Sequence, residues 1–405
     1  MSLAVGRAAI LFLAFAFAYF LSALLRAVTA TLAPVFSQEL GLRSADLGLL
    51  AGAYFFGFAA MQLPLGRALD RFGPRRTLLV LLGVAVLGCA AFAAAGSLPA
   101  LIAARALIGA GVGACLMAAL TCYRRHFSAS AQLRANSWML MTGSLGMVAS
   151  TVPVQLLLPV LGWRGLFWAL MVLLAVAAAA VAAFVPADST TGPSPSASAG
   201  YAGIARHPVF MRAAPLAFFV YGGLIAVQSL WAGPWLTRVA GWTPLQSAQG
   251  LLAINLSMLC AFAAWGFAMP RLVRRGIDAW RLMTWGLPLC FVTLAVIVSL
   301  GSAAGAAHWA LWCVTCTFVS VSQPAVGAAF PAERAGRALS AFNLVIFAGV
   351  FCIQWGLGLG IDALRATGLG DATAFRCAFA VFGACGLLSY LWFLRGAGLA
   401  AHNPA

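Results

Sequence analysis

Arg26 is the residue with the most distinctive chemistry, because it stands inside an apolar run that spans residues 8–36. A charge in such a run costs several kcal/mol unless it faces a cavity or a partner. Its chain neighbours, Leu25 and Ala27, are uncharged. A guanidinium group binds carboxylate or phosphate through two parallel hydrogen bonds. The sequence therefore predicts an anion-binding site at Arg26; the alternative is an arginine whose side chain extends to the membrane surface.

Other side chains inside apolar runs could contact the same substrate. They are Tyr54, at about the predicted depth of Arg26, and Gln228, Trp231, Asn255 and Gln354 in later runs. Polar residues inside a helix bundle also serve as hydrogen-bond partners between helices. Trp231 could instead belong to an aromatic belt at the membrane–water interface. We predict a substrate site lined by this set and leave both alternatives open.

A charged stretch at residues 66–76 separates two apolar runs and contains the candidate gating residues Gly66, Asp70, Arg71, Gly73, Arg75 and Arg76. Its glycines allow a tight turn and a close approach of backbones. The Asp70 carboxylate can pair with an arginine or cap the N-terminus of a neighbouring helix. Such a contact would favour a state that is open to the outside. The alternative is an ordinary positively charged inner loop.

Arg105 and Gly109 lie four positions apart in the fourth apolar run. We predict a gating or conformational role for both. The alternative for Arg105 is a purely structural partner within the packed helices of the N-terminal half.

The chain shows no pattern of catalytic residues. It has eight acidic residues, and we place none of them at mid-membrane. No nucleophile–base pair, metal-ligand cluster or phosphate-binding loop is apparent, so we predict no enzyme activity, no cofactor and no metal. The formal net charge is +16, but the arginines lie in short loops between apolar runs, which argues against a nucleic-acid partner.

Composition indicates a membrane protein, since 63% of the residues are hydrophobic and 8% are charged, against roughly 25% charged in soluble domains. Lipid offers no hydrogen-bond partners, and the apolar runs are too long for barrel strands, so each run is predicted to be a helix. We predict an all-α membrane protein with twelve transmembrane helices, each long enough to cross about 30 Å of hydrocarbon. The predicted segments are 8–36, 45–65, 77–96, 99–121, 136–160, 164–186, 209–237, 245–268, 282–301, 305–328, 338–361 and 372–396.

The arginines predict the orientation. With both termini in the cytoplasm, seventeen arginines fall in inner loops and ends and five fall in outer loops. This is the asymmetry of a multi-pass protein of a cytoplasmic membrane. We expect a bacterial inner membrane, and we expect part of the inner charge to lie against anionic lipid.

The chain resembles a duplication. Three pairs repeat at an offset of 200 positions: Pro34 and Pro234, Gly41 and Gly241, and Gly66 and Gly266. A stretch rich in Ser and Pro at residues 188–200 lies between the halves and has the composition of a flexible linker. We predict two six-helix bundles at residues 1–186 and 209–405, joined by a cytoplasmic linker at 187–208 and related as parallel repeats.

The spans, the repeat and the loop pattern at Gly66, Asp70, Arg71, Gly73, Arg75 and Arg76 together resemble the major facilitator superfamily, over the whole chain. Arg105 and Gly109 look like its Arg-x-x-x-Gly motif. The fifth segment lacks the Gly-Pro-x-x-Gly-Gly pattern of drug antiporters in this superfamily. Arg26, Pro34 and the Asp-Leu-Gly at residues 46–48 are similar to organic-anion and organophosphate carriers, in which such an arginine holds the anionic group.

The resemblance implies a secondary transporter that moves a small organic anion by rocking two bundles about a central site. We expect it to act as a monomer whose partners are a small-molecule substrate and the lipid bilayer. Two alternatives stay open: efflux of a hydrophobic or drug-like compound, and a membrane receptor that binds without transporting.

Overall fold

The structure is a computed structural model that describes residues 5–187 and 202–400. The described residues are helical and contain no strand, which confirms the all-α prediction. Most of the predicted linker, including Asp188, lies outside the described residues.

Eleven helices in the described residues are long and apolar enough to cross a membrane. They are α1 (Gly6–Glu39), α2 (Ser44–Leu69), α3 (Arg71–Ala94), α4 (Leu98–Arg124), α6 (Val152–Phe184), α7 (Pro208–Val239), α8 (Pro244–Met269), α9 (Ala279–Ala303), α10 (Ala306–Ala328), α11 (Arg334–Ala366) and α12 (Asp371–Arg395). Between α4 and α6 lies α5 (Ala129–Ala149).

The predicted fifth segment, residues 136–160, does not form one unbroken helix. α5 ends at Ala149 and α6 begins at Val152, so the chain breaks within the predicted segment. A second break follows at Gly162, whose φ of 61° is left-handed. The fifth crossing therefore comprises α5 and the start of α6, and the rest of α6 is the sixth crossing. The boundary between these two crossings, predicted at residues 160–164, falls at this glycine.

α7 departs most from a regular α-helix. Three π-helical stretches interrupt it, at Ala217–Tyr221, Val227–Trp231 and Trp235–Val239. A π-helical turn inserts one extra residue per turn, and such turns occur frequently at functional sites. Apolar periodicity does not reveal them.

The chain divides into two compact units. Unit 1 comprises residues 1–32 and 53–197, and unit 2 comprises residues 33–52 and 198–405. The adjoining ends of α1 and α2 thus belong to unit 2, although most of both helices belongs to unit 1.

Each unit has its own aromatic core. In unit 1, the ring of Phe92 lies 4.1 Å from that of Phe167 and 5.7 Å from that of Trp163, between centroids. In unit 2, the ring of Trp235 lies 5.3 Å from those of Trp309 and Phe379. Many large apolar side chains elsewhere are exposed. In a protein of this composition they form the surface that faces lipid.

Candidate functional site

Arg26 on α1 is partly buried in unit 1. Its guanidinium carbon lies 5.7 Å from the centre of the Phe58 ring on α2. Tyr54, one turn earlier on α2, lies close enough to interact with it electrostatically, and so does Cys115 on α4. The sequence predicts a common depth for Arg26 and Tyr54, and the two side chains lie near each other within unit 1. Two further helices, α2 and α4, thus contribute groups around this cationic side chain.

The Tyr54 side chain is completely buried. Its hydroxyl donates a hydrogen bond to the Ser22 carbonyl of α1, at 3.1 Å. Its ring lies 5.2 Å from the guanidinium carbon of Arg105, and it is also near enough to Arg26 to interact with it electrostatically. Tyr54 therefore lies near two cationic side chains, and its hydroxyl bonds α2 to α1.

Arg105 on α4 is held by groups of α1. Its Nη1 donates to the Leu25 carbonyl at 3.1 Å, and its Nη2 donates to the Thr29 hydroxyl. Only 1% of the residue is exposed. This arginine binds two helices together, in contrast to Arg26, which keeps some accessible surface.

Glycines set the distance between α2 and α4. A Cβ on Gly109 would lie 1.9 Å from the Tyr54 carbonyl oxygen, and a Cβ on Gly57 would lie 1.9 Å from that of Ala106. Real side chains do not approach this closely, so only glycine permits these two backbones to touch. Small residues promote close packing of membrane helices in this way. Gly109 thereby helps to position Tyr54 near Arg26 and Arg105.

The charged stretch at residues 66–76 covers the end of α2 and the beginning of α3, and it contains the sharp turn that the sequence predicts. Gly73 has φ 78°, which favours glycine. Arg75 donates a hydrogen bond to the Ala182 carbonyl near the end of α6. Arg71 lies over the Phe72 ring, at 5.1 Å, and Arg76 is exposed.

No atom lies within 4 Å of a Cβ built on Gly66, so the close approach that we expected there is absent. The Asp70 side chain lies outside what the structure describes.

A buried amide pair joins α7 and α8 in unit 2. Gln228 Nε2 donates to Asn255 Oδ1 at 2.9 Å, and both side chains are buried. Gln228 lies on the second π-helical stretch of α7. The predicted substrate contacts Gln228 and Asn255 thus bond to each other.

Gln354 on α11 and Trp231 on α7 form a second buried connection in unit 2. The Trp231 indole N–H donates to the Gln354 carbonyl at 3.1 Å. Gln354 Nε2 donates to the Ser229 hydroxyl at 3.0 Å, whereas its Oε1 is buried without a partner. Trp231 is completely buried, so the alternative that it belongs to an interfacial belt is wrong.

An acidic side chain of α11 caps the first turn of α2, within unit 2. Asp362 accepts hydrogen bonds from the backbone N–H groups of Ser44, at 3.2 Å, and Ala45, at 2.7 Å. Arg365 donates to the Ser44 hydroxyl at 2.8 Å and pairs with Asp362 at 3.2 Å and with Asp371 at 2.7 Å. We call these five residues the α2–α11 clamp.

Glycines bring the two helices of the clamp together below their ends. A Cβ on Gly358 would lie 2.3 Å from the Ser44 carbonyl oxygen, and one on Gly48 would lie 2.3 Å from that of Gln354. One turn further along α2, a Cβ on Gly52 would lie 3.0 Å from the Phe351 ring. The clamp is thus the charged end of a tightly packed helix pair.

Sequence reasoning did not single out Phe58 or the clamp. Phe58 follows Tyr54 by four residues, so helical periodicity places both on one face and could have found it. Asp362 lies in the last turn of α11, where an acidic residue opposes the helix dipole. An acid in that position is a signal that a partner lies elsewhere in the fold.

No cluster of three or more His, Cys, Asp or Glu residues in the described part of the chain could hold a metal ion.

Comparison with known proteins places the chain among membrane transporters. A sequence profile described as Major Facilitator Superfamily matches residues 15–353. A bacterial homologue of the human lysosomal transporter Spinster, crystallised in an inward-facing and unoccupied conformation, superposes with a TM-score of 0.79 over 100% of both chains, at 16% identity. At this identity the likeness shows the fold alone, and it confirms the expected fold of twelve helices in two bundles.

Two curated proteins align with shorter parts of the chain. The Probable sulfoacetate transporter SauU of Cupriavidus necator is 28% identical over 149 residues, which cover 37% of this chain and 35% of that protein. The Chloramphenicol resistance protein of Streptomyces lividans is 33% identical over 165 residues, which cover 40% of this chain and 41% of that protein. The chain thus matches about two fifths or less of the length of these relatives.

Proposed function

Because this chain belongs to the Major Facilitator Superfamily and is therefore a membrane transporter and not an enzyme, we propose that it carries a small organic anion and that Arg26 binds the anionic group. The observation that carries the proposal is the setting of Arg26: a partly exposed arginine inside a transmembrane helix, with its guanidinium carbon 5.7 Å from the centre of the Phe58 ring and with Tyr54 nearby. A receptor that binds without transporting is not favoured by this family membership.

The geometry of Arg26 suits an anion. A guanidinium near an aromatic ring gains a cation–π attraction, and carboxylate and sulfonate groups bind its N–H donors. Tyr54 is completely buried, so we assign it a positioning role beside Arg26 and not a direct contact. Arg105 is committed to α1 through Leu25 and Thr29, so we do not assign the anion to it. Trp231 and Gln354 are also completely buried and by the same argument take positioning roles, whereas Gln228 and Asn255 stay predicted substrate contacts.

One relative supports this class of substrate. The protein from Cupriavidus necator is named for sulfoacetate, which is a small organic anion. Its aligned part covers about a third of that protein, so sulfoacetate serves as a first probe here and not as an identified substrate.

Uptake in proteoliposomes tests the proposal. The variants are Arg26→Gln and Arg26→Lys, and the matched control is Arg271→Gln, which removes an exposed arginine bonded to its own helix at Phe267. Hydrogen bonds to a charged group contribute about 1.5–3 kcal/mol, so we expect Arg26→Gln to bind sulfoacetate or a simple carboxylate about 10- to 100-fold more weakly. Lysine keeps the positive charge but cannot form the two parallel hydrogen bonds of a guanidinium, so Arg26→Lys should retain part of the affinity.

The control should behave like the wild type, and all variants should keep the wild-type unfolding temperature. Equal uptake of every organic anion by the wild type and Arg26→Gln would contradict the proposal.

We propose alternating access by rocking of two bundles, at residues 1–186 and 209–405, in a monomer that spans the bacterial inner membrane with both termini in the cytoplasm. The excess of arginine in the predicted inner loops supports this orientation. With this orientation, the α2–α11 clamp lies on the outer side of the membrane. The clamp would have to open there to admit substrate from outside.

A reversible cross-link tests the role of the clamp. In a background that lacks the exposed Cys260 and Cys352, Ser44→Cys and Arg365→Cys would be joined by a short bifunctional methanethiosulfonate. Transport should stop on cross-linking and return on reduction. Full transport by the cross-linked protein would show that the clamp does not open.

Efflux of a hydrophobic compound is the second candidate function. The observation that favours it is the relative from Streptomyces lividans, which is named for chloramphenicol resistance. Counterflow of chloramphenicol in the same proteoliposomes distinguishes the two. Exchange of chloramphenicol that is unaffected by Arg26→Gln would favour this candidate over anion transport.

A further inference from the structure

A cavity of about 460 Å³ lies in unit 1, at the ends of α1, α3 and α6 and away from Arg26. It is lined by Arg7, Ile10, Leu11, Arg75 and the six residues 182–187, at the end of α6 and just beyond. We propose that this cavity binds the headgroup of an anionic phospholipid of the phosphatidylglycerol type. The inference depends on the membrane location of the protein and not on its substrate.

The charged side of the cavity fits a phosphodiester. Arg7 and Arg75 both line it, and the lining includes no acidic residue. Arg7 is exposed and accessible to a ligand. Arg75 is directed to this place by its hydrogen bond to the Ala182 carbonyl, near the C-terminal end of α6. A helix C-terminus attracts a cation through its unpaired carbonyl groups, so this arginine is held at the cavity before any ligand arrives.

The apolar side of the cavity fits acyl chains. Ile10 and Phe184 line the cavity and are themselves about half exposed, at 44% and 55%. Leu13 lies three residues after Ile10, on the same face of α1, and is 63% exposed. These exposed apolar side chains lie next to the arginines of the cavity, on a surface that we expect to face lipid. A soluble phosphate would use the arginines alone and gain nothing from these apolar side chains.

The position of the cavity along the membrane normal also favours a lipid. α6 ends at Phe184, so the cavity lies where a spanning helix leaves the hydrocarbon, and headgroups lie at that depth. In the orientation proposed above this is the cytoplasmic side, where anionic lipids attract basic residues. The remaining competitor for the cavity is the chain itself, because the stretch at residues 188–200, which contains Asp188, follows directly after Ala187.

Native mass spectrometry of the purified full chain tests the site. The probes are dioleoylphosphatidylglycerol, dioleoylphosphatidylcholine and soluble glycerol phosphate. The variants are Arg7→Gln, the double variant Arg7→Gln/Arg75→Gln, and Arg271→Gln as a control that removes a charge elsewhere. In a further variant, residues 188–200 are replaced by a Gly/Ser sequence of equal length. Thermal unfolding confirms that each variant is folded.

We expect one tightly held phosphatidylglycerol and no comparable binding of phosphatidylcholine. Each arginine near an anionic lipid should contribute about a fivefold gain in affinity. Arg7→Gln should therefore bind about fivefold more weakly, the double variant about 25-fold, and Arg271→Gln like the wild type. Replacement of the linker should leave the affinity unchanged.

Three outcomes would overturn the proposal. The first is equal retention of phosphatidylglycerol by the wild type and the double variant. The second is binding of glycerol phosphate with the same affinity and the same dependence on Arg7, which would indicate a site for soluble phosphate. The third is binding of phosphatidylglycerol only after the linker has been replaced, which would show that the linker fills the cavity.

Discussion

The carboxylate of Asp362 accepts a hydrogen bond from the backbone N–H of Ala45 at 2.7 Å, so the last turn of α11 caps the first turn of α2. The two residues are 317 positions apart in the chain. The first turn of a helix has unpaired N–H groups and a partial positive charge, and a carboxylate satisfies both. The capping residue therefore comes from a distant helix, in unit 2, and its loss should loosen α2 at its first turn.

Replacement of Asp362 by alanine should expose the amides that it caps. Loss of an N-terminal cap costs about 1 kcal/mol, which corresponds to about fivefold faster hydrogen exchange at Ser44 and Ala45. Exchange measured by mass spectrometry on a peptide that covers residues 42–50 checks this.

The matched control is Asp278→Ala, because Asp278 caps α9 through the Arg281 N–H at 2.7 Å. The control should accelerate exchange at Arg281 only, and unchanged exchange at residues 44 and 45 in Asp362→Ala would refute the assignment.

Gly109→Ala should destabilise the helix pair α2 and α4. The new Cβ would lie 1.9 Å from the Tyr54 carbonyl oxygen, and a backbone cannot yield as a side chain can. Overpacking of this kind costs about 1–3 kcal/mol or more, which should lower the thermal unfolding midpoint. Gly66→Ala is the matched control, because its Cβ would have no atom within 4 Å. Equal midpoints for the two variants would argue against the close contact.

Arg105→Gln should destabilise the protein through its contacts with α1. Each hydrogen bond to a charged group contributes about 1.5–3 kcal/mol, and Arg105 makes one to Leu25 and one to Thr29. Arg105→Lys should restore little of the lost stability, since an ammonium group cannot reproduce the planar arrangement of guanidinium donors. A double-mutant cycle with Thr29→Val, read from unfolding midpoints, should show a coupling energy. If the two changes are simply additive, the Arg105–Thr29 bond contributes nothing.

The long helices of this fold could be predicted from the sequence because they depend on composition and on the length of each apolar run. Eleven of the predicted apolar runs correspond to eleven long helices, since in lipid each run must satisfy its own backbone. The turn at Gly73 also follows from local sequence. The break of the fifth segment near Ser150 was missed, because an apolar run does not show where its helix is interrupted.

Contacts between distant helices could not be predicted in the same way. Trp231 bonds to a backbone carbonyl, that of Gln354, and a backbone acceptor has no sequence signature. Gln228 and Asn255 are predicted substrate contacts that bond to each other, and Gln228 lies on a π-helical stretch of α7, which shifts side chains around the helix axis. Such irregular turns cannot be predicted from the periodicity of apolar residues.

The pair Gln228 and Asn255 provides a final prediction, because its two amides lie 2.9 Å apart and are buried. Asn255→Leu removes the acceptor of the Gln228 N–H and leaves a buried polar group unsatisfied, at a cost of about 1–3 kcal/mol. The double variant Gln228→Leu/Asn255→Leu removes both groups and should recover part of the lost stability. Thermal unfolding in detergent measures this recovery, and uptake of the transported anion by the double variant shows whether the pair also contacts substrate. A double variant that is less stable than both single variants would mean that each amide has another essential partner.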